Sequence, residues 1–358
     1  MKSVLFRRDA RHRFGIAAVL AVLVMGAVLV MGAVGSPASA EPNIPGTGSS
    51  GAPLLGEPTT ERAPNPAIER VEPINDRWLR VFVQSPAMSR TVEVQVLLPR
   101  DQSRSRPTVY MLDGRSAERD GNNWIVQGRA DRFFEDKDVN VVLTVGGPAS
   151  FYTDWLNPDP VLGTNKWETF LTAELPPLID ARFDGNGRNA IMGVSMGAEA
   201  AMMLAVRRPT LYAAVAAHSG CYSVGTEPGQ AQARAIVATY FGQPDNMFGR
   251  PDNPEWLAHD VIQHAEALRG KAIYLSTGNG MPGRYETPDT PNLPTVLAFG
   301  GPLEAGAAMC ARKLVDRLGS LDIPVTANFR ANGIHAWRYW ADELGLSWPT
   351  VAGPLGVR

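Results

Sequence analysis

The chain has 358 residues, a formal net charge of −2 and a charged fraction of 20%. No long basic or acidic run occurs in its body, so nucleic acid is not expected as a partner and neutral or lipidic partners are. Cys221, Cys310 and the five histidines form no cluster with metal-ligand spacing, and no nucleotide-binding pattern is visible, so no metal or other cofactor is expected.

The opening "MKSVLFRRDARHRF" carries Lys2, Arg7, Arg8, Arg11 and Arg13, and an apolar run from Gly15 to Val34 follows. Ala38-Ser39-Ala40 then fits the small-residue pattern at which a secretory signal is cleaved, so residues 1–40 read as a signal peptide. The run is also long enough to span a bilayer, which leaves an uncleaved anchor as the alternative. Either reading places the body outside the cytoplasm. Residues 41–66 are rich in Pro, Gly and Ser and read as a spacer that cannot bury enough surface to order itself. The folded unit is expected over 67–350, with 351–358 as a tail.

Within it, "WLRVFVQ" and "RTVEVQVLLP" read as an antiparallel pair. The pattern then changes to short, nearly continuous apolar runs at 107–114, 139–147, 188–195, 212–220, 271–278 and 324–331, most ending in Gly, Ser or Asp. Strands buried on both faces look like this. Helical stretches lie between them: "WETFLTAELPPLIDARF", which Pro176 and Pro177 should kink or interrupt; "GAEAAMMLAVRRP", stopped by Pro209; and "LEAGAAMCARKLVDRLG" over 303–319. Alternating strands and helices predict an α/β fold, a mostly parallel sheet between two helical layers, with ligands at the carboxyl ends of the strands. The segment 221–270 lacks strand periodicity and is the expected lid insert.

Ser195 stands in "GVSMG" on the turn from the strand "RNAIMGV" to a helix. A nucleophile elbow needs that context, whereas the bland reading is a tight turn. A serine nucleophile requires a base, and the base an orienting carboxylate. His335 in "NGIHAWRYW" lies just past the last strand and is the expected base. His218 sits at a strand end nearer the serine in sequence, while His259 and His264 lie in a Pro- and Asp-rich stretch expected to be exposed. Glu286, Asp289 and Glu304 all fall in the right interval for the acid. Glu304, expected at a helix start, is the better anchored of the three.

Several motifs in order, "VYMLDG", "NNW", "VGGPASFYTDW", "WETFLTAELPPLI", "GVSMG", "LEAG" and "HAWRYW", resemble the secreted mycolyltransferases of the antigen 85 type and their corynebacterial relatives. The resemblance covers roughly 105–345. It implies an α/β-hydrolase fold and the catalytic set Ser195, Glu304 and His335. It also implies an oxyanion hole from the amides of Met196 and Arg115, and sugar contacts from Asp113, Asn122, Trp124 and Trp337. The antigen-type "DGLRA" reads "DGRSA" here, so Ser116 stands where a sugar-contacting arginine is usual, and "NNW" replaces "NGW". Cys221, at a strand end, and Cys310, on the helix of the acid, are expected to form a disulfide that pins that helix, with two buried unpaired thiols as the alternative.

The activity implied is transfer of a mycolyl group from trehalose monomycolate to trehalose or a cell-wall polysaccharide. A secreted carboxylesterase would use the same residues, because transfer and hydrolysis differ only in what reaches the acyl-enzyme first. A non-catalytic wall-binding protein is the reading from another class.

Overall fold

The computed structural model describes residues 65–357; the expected signal segment and nearly all of the spacer lie outside the described residues. The described strands are β1 (Ala67–Asn75), β2 (Trp78–Ser85), β3 (Arg90–Leu97), β4 (Arg106–Leu112) and β5 (Asn140–Thr144), followed by β6 (Gly185–Val194), β7 (Tyr212–His218), β8 (Ala272–Thr277) and β9 (Thr326–Phe329). They form one sheet in the order β1-β2-β3-β5-β4-β6-β7-β8-β9. β1, β2, β3 and β5 pair antiparallel, and every pairing from β5 through β4 to β9 is parallel.

Alternation along the central strands decides how this sheet is covered. Tyr110, Leu112, Ile191 and Val215 enter one apolar cluster, while Val109, Met111, Met192 and Ala216 enter a second on the opposite face. Strands with two apolar faces need a layer on each side. The first face is covered by α2 (Leu175–Phe183), α3 (Met196–Arg207), α4 (Glu227–Thr239) and α5 (Leu293–Ser320). The second is covered by α6 (Trp337–Leu355), with Trp124 from the short α1 (Asn123–Val126). This three-layer arrangement is the α/β-hydrolase fold that the strand pattern and the resemblance led us to expect.

Some boundaries differ from the sequence expectation. β1 was not anticipated, because "AIERVEPIN" mixes charges and a proline into its apolar positions. As an edge strand it tolerates them, and its register shifts on either side, near Ile68 and Pro73. α5 starts ten residues before Leu303, so Glu304 is in the body of a helix and not at its start. Gly300 and Gly301 stand inside this helix just ahead of Pro302, where close approach is needed: a Cβ at Gly300 would lie 2.9 Å from the Ile334 side chain. α6 runs to Leu355 and buries Val351, Ala352 and Leu355, so the supposed tail is part of the fold. Ahead of Pro176 and Pro177 the helix widens to a π turn over Phe170–Glu174. The stretch 221–270 is packed into the main core through Val237, Phe248, Trp256 and Leu268 rather than lying over it as a loose cover. His259, expected outside, is buried and stacks on Phe248 with ring centroids 4.1 Å apart.

Candidate active site

Ser195 joins β6 to α3 with φ 53° and ψ −123°, a conformation that costs a non-glycine residue free energy and has to be imposed by its surroundings. The imposition is visible. The Ser195 amide donates to the His218 carbonyl at 2.8 Å, and its own carbonyl accepts from Ala198 at 2.9 Å. The flanking glycines permit the turn, since a Cβ at Gly193 would meet the Gly197 carbonyl oxygen at 2.0 Å and one at Gly197 would meet the Asp113 carbonyl oxygen at 2.3 Å.

His335 lies in the loop between β9 and α6. Its Nε2 is 2.9 Å from Ser195 Oγ and its Nδ1 is 2.8 Å from Glu304 Oε2. The His335 amide donates to the Gly300 carbonyl at 3.0 Å, and its ring meets Trp340 edge-on at 4.8 Å, so main chain and side chain are both held. Of the three candidate acids, only Glu304 reaches this histidine. Glu286 accepts from Tyr339 and the Gly283 amide, and Asp289 is exposed.

Glu304 is fully buried, and its second oxygen is crowded with donors: Ser219 Oγ at 2.7 Å, the Gly278 amide at 2.6 Å, Thr277 Oγ1 at 3.2 Å and Arg330 Nη2 at 3.2 Å. Burial works against the ionised form. The hydrogen bond and charge of His335, with the Gly278 and Ser219 bonds, outweigh it and hold the carboxyl below the ordinary glutamate range. Ser219 in turn accepts from Trp340 Nε1 at 2.9 Å. Sequence reasoning missed Ser219, Thr277, Gly278 and Arg330 as supports. They follow or end β7, β8 and β9, and polar residues at the carboxyl ends of adjacent parallel strands were the available signal.

Gly114 brings the loop after β4 against the serine, since a Cβ on it would lie 3.8 Å from Ser195 Cβ. Among the described residues, neither the Met196 nor the Arg115 amide donates to a protein acceptor. The expected sugar contacts require correction. Asp113 is fully buried, its carboxylate taken by the Gly114 amide at 2.7 Å, the Asn123 amide at 2.9 Å and Asn123 Nδ2 at 3.0 Å. Burial pushes this carboxyl above its usual range, and those bonds only partly offset the effect. Asn122 caps α1, accepting from the Trp124 amide and donating to the Thr144 carbonyl; Trp124 Nε1 donates to the Leu112 carbonyl at 2.9 Å. All three turn inward and brace the loop. Trp337 alone of the four is partly exposed, packed between Trp124 and Trp340.

The remaining histidine at a strand end, His218, is fully buried with Nδ1 on Ser276 Oγ at 2.8 Å, and burial depresses it to about 4. Cys221 and Cys310 are bonded, joining the loop after β7 to α5 two turns beyond Glu304. No group of three or more His, Cys, Asp or Glu residues is gathered for a metal among the described residues.

A serine, histidine and carboxylate in hydrogen-bonded sequence at the carboxyl edge of a parallel sheet is an arrangement for acyl chemistry. The chain matches the Esterase family over residues 85–346. It belongs to that family. It is 32% identical to the diacylglycerol acyltransferase/mycolyltransferase Ag85B of Mycobacterium avium over 77% of this chain and 82% of that protein. Among solved structures, it is similar to Mycobacterium tuberculosis MPT51 (FbpC1), with a TM-score of 0.64 and 25% identity over 76% of this chain and 96% of that one. An S-formylglutathione hydrolase from Agrobacterium tumefaciens shares the fold, with a TM-score of 0.58 at 16% identity over 80% of this chain and 99% of its own.

Proposed function

We propose that this esterase-family chain is an exported acyltransferase that moves a long-chain acyl group, of the mycolyl type, from a trehalose monoester to a sugar hydroxyl. The observation that carries the proposal is the Ser195–His335–Glu304 relay on a chain 32% identical to a mycolyltransferase. His335 Nε2 takes the Ser195 proton as Oγ attacks the ester carbonyl, and the Met196 and Arg115 amides receive the developing oxyanion. The C–O bond to the donor sugar then breaks, and the leaving oxygen takes its proton from His335. An acceptor hydroxyl gives its proton to the same nitrogen, attacks the acyl-enzyme and restores Ser195.

Two open clefts suit the two halves of such a substrate. One, of about 450 Å³, lies against α5 at Leu297, Gly301, Pro302 and Ala305 and is closed on its other side by Met281 and Pro282, apolar enough for an acyl chain. The other, of about 480 Å³, runs from Ser116 past Pro148, Val161 and Leu162, and carries Glu118, Arg119, Asp120 and Tyr240 as the polar groups that could meet a polyhydroxylated group. Hydrolysis is the second reading, favoured by one observation: Asp113, Asn122 and Trp124, the positions that would hold an acceptor sugar, are spent inside the protein. On either reading the expected place of action is the cell envelope outside the cytoplasmic membrane, with a glycolipid ester as donor.

The test incubates wild-type protein and Ser195→Ala with trehalose monomycolate and separates all products. Diester and free trehalose from wild type alone support transfer. Free fatty acid without diester makes the protein an esterase, and absence of Ser195-dependent turnover returns the choice to a binding protein.

A further inference from the structure

The carboxylate behind His335 is one end of a longer buried charge chain. Arg330 is the first residue after β9, and its amide donates to the Thr277 carbonyl at 2.9 Å, which fixes its backbone beside the site. Its guanidinium forks: Nη2 reaches Glu304 Oε1 at 3.2 Å while Nη1 donates to Glu343 Oε1. Glu343, on α6, is as completely buried as Glu304, and it also accepts from Tyr274 Oη at 2.6 Å and Asn328 Nδ2 at 3.0 Å. The Arg330 side chain is itself only 15% exposed and lies over the Tyr339 ring at 5.2 Å.

Two buried carboxylates sharing one guanidinium is a costly arrangement to maintain. Each would be strongly disfavoured in its ionised form without compensation. A single cation cannot fully neutralise both, so how strongly Arg330 draws on Glu304 depends on how strongly Glu343 holds Arg330. That competition reaches the imidazole, because Glu304 Oε2 is what His335 Nδ1 feels.

We propose that Arg330, tethered by Glu343, is a positioning residue for the relay: it fixes the Glu304 carboxylate and trims the negative field that Glu304 exerts on His335. The inference rests on the reading of Ser195, His335 and Glu304 as the reacting set. Removing Arg330 leaves Glu304 less compensated, which favours the imidazolium and moves the acidic limb of the rate profile to higher pH. Removing the Glu343 charge frees Arg330 to act fully on Glu304 and moves that limb to lower pH. A merely structural pair would not produce opposite signs.

Other groups packed around the relay come from several elements. They are His218 at the end of β7, Tyr274 in β8, Tyr339 on α6, and Glu286, which accepts from Tyr339 at 2.5 Å; Arg338, also on α6, is exposed and lies over the Tyr285 ring. Asp342, also on α6, is paired with Arg284 at the surface. His218 is depressed to about 4 by burial, while burial raises both tyrosines, Tyr339 to about 12, so none of these three changes charge between about pH 5 and 8.

The experiment follows the rate of Ser195 labelling by a fluorophosphonate against pH in the full chain, for wild type, Arg330→Met, Arg330→Lys and Glu343→Gln, with folding checked by circular dichroism. Labelling needs the serine and histidine but no natural acyl donor. The expected result is an acidic limb displaced by about 0.5 pH unit upward in Arg330→Met and a similar amount downward in Glu343→Gln. Labelling of Arg330→Met should also slow about tenfold, because the carboxylate is less well held. Arg330→Lys keeps the charge but not the fork, so its labelling slows while its limb stays closer to wild type. If Arg330→Met does not fold, the test rests on the downward limb of Glu343→Gln set against an Arg330→Lys that labels slowly with its limb near wild type. A Glu343→Gln limb that coincides with wild type, or that moves in the same direction as that of Arg330→Met, overturns the clamp. A wild type that is not labelled at Ser195 overturns the reading of the site itself.

Discussion

Glu199 offers a test of the packing beneath the serine that needs no substrate. It lies in the first turn of α3, four residues after Ser195, and its amide donates to the Ser195 carbonyl at 3.2 Å. The side chain is 3% exposed, and its carboxyl accepts from the Cys221 amide and from Gln232 Nε2, each at 3.0 Å. No cation is paired with it among the described residues. Burial therefore dominates and raises its pKa from 4.5 to about 8, with the two hydrogen bonds working the other way. For an acid raised on folding, the contribution to stability is intact below the unfolded value. It declines as pH climbs from 4.5 towards 8, because the unfolded chain releases a proton that the folded one keeps. The slope is at most about 1.4 kcal/mol per pH unit, so across the window wild type gives up roughly 3–5 kcal/mol. Glu199→Gln imitates the protonated acid and keeps an acceptor oxygen, and it should escape this loss. Equilibrium urea unfolding of both proteins from about pH 5 to 8 checks the difference, in which every other titrating group cancels. The two should be nearly equal at the acid end, with the variant ahead by a few kcal/mol at the alkaline end. A difference that stays constant with pH, or a variant that is weaker at pH 8, would refute the argument that burial governs this carboxyl.

Gly197→Ala places a methyl 2.3 Å from the Asp113 carbonyl oxygen, backbone against backbone, so either the elbow or the loop after β4 must move. We expect a loss of about 2 kcal/mol or more in thermal unfolding together with loss of Ser195 labelling; normal labelling would show that the elbow tolerates the shift. The Cys221–Cys310 bond spans 89 positions of chain and ties down the helix that carries Glu304. Replacing both cysteines with serine should cost about 2–4 kcal/mol, leaving room-temperature turnover mostly intact but advancing its loss on heating; unchanged melting would remove any stabilising role for the bond.

Much of this site can be read from the sequence because chemistry and topology constrain it together. "GVSMG" between a strand and a helix allows one backbone solution, and a histidine just past the last strand is within reach of it. The acid could not be chosen on the same grounds. Glu286, Asp289 and Glu304 occupy equivalent intervals, and only tertiary packing shows that the first is engaged by Tyr339 and the second faces solvent. The family resemblance supplied what local pattern did not. Resemblance also misled, at Asp113, Asn122 and Trp124, because a matched position carries no information about which way its side chain turns. The helix of the acid was expected only from Leu303, whereas it runs on through the two glycines before Pro302, which permit helix-to-loop contact, a tertiary demand with no local sequence signal. Arg330 was invisible for lack of any motif. Its importance lies in reaching two carboxylates 26 and 13 positions away, one on each of the two long helices.

The inward turn of Asp113 bears on how an acceptor could outcompete water. Two departures from the antigen-type pattern meet at that residue: Asn123, where a glycine is usual, donates to Asp113 Oδ2 at 3.0 Å and lies 3.4 Å from Ser116 Oγ, where an arginine is usual. The Asn123 side chain thus occupies Asp113 from inside the loop, at the position where the resemblance implied a sugar contact. Ser116, shorter than arginine, then leaves open the cleft bounded by Glu118, Arg119, Asp120 and Tyr240. Water competes with any acceptor for the acyl-enzyme, and only an acceptor held by groups with unspent hydrogen-bonding capacity can gain the advantage. On the proposed reading, that capacity lies in residues 118–120 and Tyr240 rather than in the matched positions. Acceptor choice in this chain would therefore follow its own charged loop, with a carboxylate on either side of one guanidinium, and need not follow that of its antigen-type relatives.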